Sequence, residues 1–191
     1  MGEEEAEILD RFRQCVVEVP DFPKPGILFK DVLPVLCDVE LLRAVVGVMC
    51  RRIQRLAGPE GVSHVAGLEA RGFLFGPLIA QHIGLPFLPV RKKGKLPGPV
   101  HSVSYQLEYG TDSMEIQKGV IPSGSRVVIF DDLLATGGTS LAAVRLLEQC
   151  GASVAGVAFL VRLDYLPGTG LLRQHNIPFT SLLHYDTLLT T

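Results

Sequence analysis

Short, almost unbroken apolar runs alternate along this chain with longer segments whose apolar residues recur every three or four positions. The runs cover residues 64–68, 86–91, 126–130 and 153–161. A strand apolar at every residue needs cover on both faces of its sheet, the condition met by a parallel sheet between layers of helix. The longer segments supply the helices. Residues 5–17 place Ile8, Phe12, Cys15 and Val16 on one stripe, and residues 39–56 do the same with Leu41, Val45, Val48, Met49, Ile53 and Leu56. Residues 72–83 read as a helix if Pro77 sits near its first turn. Residues 138–150 turn Ala143, Leu146, Leu147 and Cys150 inward. The class is α/β, with a central parallel sheet flanked by helices.

At 191 residues the chain fits one compact domain over 1–191. The 18 Lys and Arg nearly balance 20 Asp and Glu, for a net charge of −2, so a dedicated nucleic-acid partner is not expected. No apolar run approaches the roughly 18 residues of a membrane-spanning helix. The opening Met1-Gly2-Glu3-Glu4-Glu5 has no apolar region of a secretory signal and reads as solvated. A soluble cytoplasmic protein is expected. Cys15, Cys37, Cys50 and Cys150 form no Cys-x-x-Cys pair, and read as buried free thiols. The five histidines are equally scattered, which leaves no basis for a zinc site or a histidine triad.

The segment richest in chemistry is residues 126–140. An apolar strand ends there in Asp131 and Asp132, a turn of small residues follows, and a helix starts at Gly137-Gly138. Ligands of open α/β sheets bind beyond the carboxyl ends of the strands. Backbone N–H groups at a helix N-terminus, with the Thr136 and Thr139 hydroxyls, suit a phosphate monoester. The two aspartates can accept hydrogen bonds from vicinal hydroxyls, so a ribose 5-phosphate fits the pair of features. A bland reading of the same residues is a strand-to-helix turn capped by Asp and Thr, but two adjacent carboxylates at a buried strand end are costly without a partner. Neither a Walker A sequence nor Gly-x-Gly-x-x-Gly is present. Upstream, residues 91–99 form a basic loop rich in Gly and Pro, followed by alternating polar and apolar residues at 102–109 and 113–118 that predict a hairpin. A long loop of this kind is more often functional than a plain connection.

Residues 127–139 resemble the phosphoribosyl-pyrophosphate motif of type I phosphoribosyltransferases. Pro20-Asp-Phe-Pro-Lys-Pro-Gly26, Ala66-Gly-Leu-Glu-Ala-Arg-Gly-Phe-Leu-Phe-Gly-Pro77, Arg91-Lys-Lys-Gly-Lys-Leu-Pro-Gly-Pro99 and Leu107-Glu-Tyr-Gly110 resemble the adenine phosphoribosyltransferase family, in that family's order. The resemblance spans roughly residues 20–185. It implies the type I phosphoribosyltransferase fold, with a small N-terminal hood over about 20–36 and a mobile catalytic loop over about 92–110. The implied activity is purine salvage, in which 5-phosphoribosyl 1-pyrophosphate and adenine give AMP and pyrophosphate. Mg²⁺ is the implied cofactor, bound mainly through substrate, and a homodimer the implied assembly.

The same resemblance distributes roles along the chain. Asp131, Asp132, Ala135, Thr136, Gly137, Gly138 and Thr139 would hold the phosphoribosyl group. Gly67, Leu68, Glu69, Ala70 and Arg71, with Arg91 and Lys95, would take the pyrophosphate. Leu28, Phe29, Lys30 and Leu163 would hold the base, with Phe29 on one purine face and Leu163 approaching the other. Glu108 would handle a purine proton, and Tyr109 would help close the site, alongside Arg71 and Lys95 as catalytic groups. Departures from the family pattern stand near the base positions. Lys30 replaces an arginine, and Arg162 stands where an acidic residue is usual, beside the expected purine pocket. Residues 166–170 read Leu-Pro-Gly-Thr-Gly in place of Leu-x-Gly-Arg. A shifted base preference, or a paralogue that binds phosphoribosyl ligands and acts through partners, are the alternatives these changes raise.

Overall fold

The computed structural model describes residues 2–106 and 111–187. Helix α1 (Glu3–Cys15) leads into a two-stranded antiparallel ribbon, β1 (Val17–Pro20) and β2 (Leu28–Asp31), then a 3-10 helix (Leu33–Cys37) and α2 (Val39–Ala57). Next come β3 (His64–Leu68), α3 (Gly72–Ile83), β4 (Phe87–Lys92), and the hairpin β5 (Val100–Gln106) and β6 (Thr111–Gln117). The chain continues through β7 (Arg126–Leu134), α4 (Gly138–Gln149), β8 (Ser153–Leu163), α5 (Gly168–Gln174) and β9 (Phe179–Tyr185).

The main sheet has the order β5-β6-β4-β3-β7-β8-β9. Strands β4, β3, β7, β8 and β9 are mutually parallel, as continuous apolar strands require, while β5 and β6 add an antiparallel extension beyond β4. All five residues of β3 are buried. One core layer joins α1, α2 and α3 to Val128, Phe130, Ala158 and Leu160, and the other packs α4 on Val127, Ile129, Val157 and Phe159. Alternate residues of β7 and β8 thus serve opposite layers, which explains why those strands carry no polar face.

Several elements differ from the sequence reading. Helix α1 stops at Cys15, because Val17–Pro20 pair with β2 as a strand. Glu5 is buried against the Arg52 guanidinium of α2 (2.9 Å), so the acidic N-terminus is not wholly solvated. Pro77 lies in the interior of α3 rather than its first turn. Its ring forfeits one N–H donor toward the Phe73 carbonyl, while burial of Phe75 and Ile79 on either side holds the helix through it. Strand β7 runs four residues beyond Phe130, since Leu133 and Leu134 still ladder with Val161 and Arg162 of β8. Cys37 is exposed, unlike buried Cys50, whose thiol burial pushes up to about 11.

A bulge between β7 and β8 pairs Val127 with Val154 but Val128 with Gly156. A β-carbon on Gly156 would lie 2.7 Å from the Pro178 carbonyl oxygen and 2.8 Å from Leu56 Cδ2. Gly156→Ala should therefore destabilise the fold by about 1–3 kcal/mol. Thermal unfolding should show a melting temperature lower by several degrees, and an unchanged midpoint would refute the packing argument.

Candidate functional site

The carboxyl ends of β3 and β7 lie side by side and supply the centre of the site. Beyond β3 the chain turns through Glu69, Ala70 and Arg71 into α3, with the Glu69–Ala70 peptide cis. Close packing sets this turn. A β-carbon on Gly67 would lie 2.5 Å from the Phe87 ring, and one on Gly72 would lie 3.0 Å from the Phe130 carbonyl oxygen. The turn is thereby pressed against the end of β7, and Arg71 Nε donates to Asp132 Oδ2. The same guanidinium lies 5.1 Å from the Phe29 ring centroid, with Phe22 edge-on to Phe29 at 5.2 Å. Phe29, Arg71 and Asp132, far apart in sequence, thus form one group. Asp132 is buried, whereas the Arg71 side chain keeps 37% of its exposure and can still meet a ligand. Asp131 accepts the Asp132 N–H (3.0 Å). Withdrawal from water, then the charge of Asp132, push its carboxyl well above the ordinary carboxylate range.

Past Leu134 the chain forms the turn Ala135–Gly137 and enters α4. Gly137 takes φ +83°, and a β-carbon there would lie 3.1 Å from Gly168 Cα. Gly168 in turn donates its N–H to the Ala135 carbonyl (2.9 Å). The N-cap residue of α4, Gly137, supplies no side-chain hydrogen bond to the first N–H groups of the helix. Thr136 is exposed and Thr139 half-buried. A tyrosine to which the sequence reading gave no role enters here. Tyr105 of β5 lies beside Thr139 and 3.4 Å from Asp112 Oδ2. Burial, then the Asp112 carboxylate, raise its phenol above the usual range. Its signal in the sequence is weak, because a tyrosine on an alternating hairpin is ordinary until the hairpin is seen lying along α4.

On the other side of Arg71 the basic loop is tied down by an acid. Glu69 accepts a fork from Arg91 (2.9 and 3.2 Å) and the Lys92 N–H (2.9 Å). The Arg91 hydrogen bonds hold the Glu69 carboxyl below its usual range. Arg91 Nη1 also donates to the Lys95 carbonyl (3.0 Å), and buried Glu115 accepts the Gly94 N–H (2.9 Å). Glu69, grouped by sequence with the pyrophosphate residues, therefore spends its carboxylate on the root of the loop. Lys95 stands exposed on that loop. Glu108 and Tyr109 lie outside the described residues.

In the hood, Lys30 is buried, with its ammonium on the cross-strand Glu18 carboxylate and 4.1 Å from the Tyr185 ring. Burial lowers its pKa. Leu28 is half-buried, and Leu163 belongs to the core that also holds Phe12, Val32 and Val35. Arg162 does not sit where the sequence reading expected. Its guanidinium donates to Asp164 (3.0 Å), and it lines a cleft with α1 and β9 residues that excludes Phe29, Arg71 and Asp132. Position 162 ladders with His184 of the edge strand, which carries it to that flank.

The raised Asp131 carboxyl has a consequence for stability. Folding makes that proton harder to lose than in the unfolded chain, where an aspartate ionises above about pH 3.9. Stability from this group is complete below that pH and falls as pH rises through the folded-state value. Asp131→Asn, which cannot ionise, should gain on the parent in melting temperature as pH rises above about 4. The gain expected is roughly 2–4 °C, what about 1 kcal/mol produces in a chain of this length. A difference that stays flat with pH would show that Asp131 is not strained by its charge.

Residues 40–174 match the model of the phosphoribosyl transferase domain. Adenine phosphoribosyltransferase of Mastomys natalensis is 47% identical over 186 residues, covering 97% of this chain and 100% of its own, and that of Homo sapiens is 45% identical with the same coverage. Among solved structures, adenine phosphoribosyltransferase from Saccharomyces cerevisiae, complexed with an imino-altritol bisphosphate and adenine, superposes with a TM-score of 0.88. It is 39% identical and covers 93% of this chain and 99% of its own. The Trypanosoma brucei enzyme, in complex with AMP, pyrophosphate and ribose-5-phosphate, gives 0.83 at 29% identity, over 96% of this chain and 86% of its own. With a domain match over most of the chain and relatives this similar over nearly its whole length, the chain belongs to the adenine phosphoribosyltransferase family.

Proposed function

We propose that this chain transfers the phosphoribosyl group of 5-phosphoribosyl 1-pyrophosphate to adenine, giving AMP and pyrophosphate. The observation that carries the reading is Arg71 on Asp132, a cation and a carboxylate held between the turn assigned to pyrophosphate and the strand end assigned to ribose. In the ligand-free chain each is the other's partner. A bound substrate offers both a replacement: diphosphate oxygens for the guanidinium, vicinal hydroxyls for Asp131 and Asp132. The 5-phosphate lies on the N–H groups at the start of α4, with the Thr136 and Thr139 hydroxyls. Phe29 stacks on the base and Leu163 approaches its other face.

In the reaction the bond from the anomeric carbon to a diphosphate oxygen breaks, and one from a purine nitrogen to that carbon forms. The purine proton leaves toward Glu108, and Arg71 and Lys95 answer the charge gathering on pyrophosphate. Closure of the loop that Glu69 roots through Arg91 excludes water from the reactive sugar, with Tyr109 helping to close the site. The donor set suits Mg²⁺ carried by substrate. Among the described residues no three His, Cys, Asp or Glu side chains converge as a cage, and Mg²⁺ favours one or two carboxylates plus phosphates and water. Asp131 and Asp132 are the carboxylates at hand, and the ion would offset diphosphate charge.

The sequence departures have local explanations that leave adenine as the base. Lys30 is neutralised by Glu18, and Arg162 by Asp164 on another flank. A homodimer and a cytoplasmic location accompany this reading. They are supported by the apolar cleft that Val39, Leu42, Val46 and Leu78 line on α2 and α3, and by four free thiols. No helix among the described residues is long and apolar enough to cross a membrane.

Purified protein supplied with phosphoribosyl pyrophosphate and Mg²⁺ should form AMP from adenine and little nucleotide from guanine or hypoxanthine. Absence of product with every base would sink the enzyme reading. Asp132→Asn should weaken AMP binding on the order of 10- to 100-fold by calorimetry, the range expected for hydrogen bonds to a charged group. Unchanged affinity would remove Asp132 from the ribose site.

A further inference from the structure

Two of the departures from the family pattern meet at one carboxylate. Asp164 follows β8 directly, and its N–H is fixed to the Tyr185 carbonyl (2.8 Å). Its Oδ2 accepts from Arg162 Nε (3.0 Å) and its Oδ1 from the Thr169 hydroxyl (2.7 Å). Thr169 is the second residue of α5 and is buried. Segment 166–169, Leu-Pro-Gly-Thr, keeps the leucine and glycine of the Leu-x-Gly-Arg pattern and exchanges only its last member. That member and Arg162 are both bound to Asp164.

The neighbour of Thr169 braces the phosphate turn. Gly168 donates its N–H to the Ala135 carbonyl, and a β-carbon on it would lie 2.3 Å from that oxygen and 2.8 Å from Leu134 Cδ1. Gly137 would likewise meet Gly168 Cα at 3.1 Å. The nearest approach at each glycine is to backbone, with the Leu134 and Leu171 side chains packed beside it. Yet α5 spans only Gly168–Gln174 and has no side-chain cap of its own. A helix so short is not self-supporting, and its position depends on what ties it down. Buried Leu172 holds its far side.

We infer that Arg162, Asp164 and Thr169 form a positioning strap that sets the turn 135–139 for the substrate 5-phosphate. This rests on reading that turn as the phosphate site. The strap touches no substrate: Arg162 orients Asp164, Asp164 seats Thr169, and the seated α5 presses Gly168 on Ala135. Loosening it lets the turn drift from phosphate geometry while leaving the Arg71–Asp132 centre in place. The strap therefore governs affinity for phosphoribosyl ligands far more than for the base or the chemical step.

Thr169→Val removes the hydroxyl at nearly constant volume. The KM for phosphoribosyl pyrophosphate should rise about 5- to 10-fold, with the KM for adenine and kcat changing less than about twofold. The calorimetric Kd for ribose 5-phosphate should rise by the same factor, and Thr169→Ser should restore both. Should Thr169→Val fail to fold, Asp164→Asn is measured in its place, with the same selective rise expected. Unchanged ribose 5-phosphate affinity, equal losses for adenine and phosphoribosyl pyrophosphate, or failure of serine to rescue would each overturn the strap. The binding arm stands apart from turnover: a parent protein that makes no AMP refutes the proposed activity, while ribose 5-phosphate titrations still decide the strap.

Discussion

A buried carboxylate at the end of a central strand has to be matched, and the placement of Arg71 on Asp132 is the match on which the site depends. Charge taken out of water without a partner is far more costly than any single packing contact returns. The pairing therefore fixes how the turn after β3 approaches β7. Glycines at 67 and 72 make that approach sterically possible, since a β-carbon at either would run into the Phe87 ring or the Phe130 carbonyl. Phe29 of the hood then lies against the exposed face of the same guanidinium. The small N-terminal ribbon is thereby joined electrostatically to the sheet whose strand ends it overhangs.

Acidic side chains do much of the supporting work around this centre. Glu69 gathers Arg91, the Lys92 N–H and, through Arg91, the Lys95 carbonyl. Asp112 receives Lys92 and lies near Tyr105, while Glu115 holds Gly94. These fixed carboxylates hold the root of the basic loop beside the end of β3. The phosphate turn is supported differently, by backbone contact between Ala135, Gly137 and Gly168. In the proposed reaction, electrostatic support would suit a loop that closes, and backbone contact would suit a phosphate cradle that stays in place.

The parallel sheet was legible in the sequence because an apolar run such as 64–68 can be stable only when covered on both faces. The strand, turn and helix around 131–139 were legible because two glycines after paired aspartates mark a strand end and a helix start. Less was legible where a segment takes its structure from a distant partner. Val17 continues the helical pattern of residues 5–17, yet it opens the strand Val17–Pro20 that pairs with β2, and β7 runs on past Phe130 because β8 offers ladder partners to Leu133 and Leu134. Tyr105 has no distinguishing spacing, and its place beside Thr139 depends on how the hairpin lies along α4. The sequence alone allows Lys30 and Arg162 to compensate each other, but their partners are Glu18 and Asp164, which no motif marks.

By itself, then, the sequence determined the layered α/β class, the strand-turn-helix cradle with its two aspartates, and the order of family motifs, since periodicity and residue chemistry are local properties. Tertiary structure alone decided which charges meet: Arg71 with Asp132, Glu69 with Arg91, Lys30 with Glu18, and Arg162 and Thr169 with Asp164. Ion pairs act across space over a few ångströms. Which residues come within that reach is set by strand order and register, and a linear pattern does not carry that information.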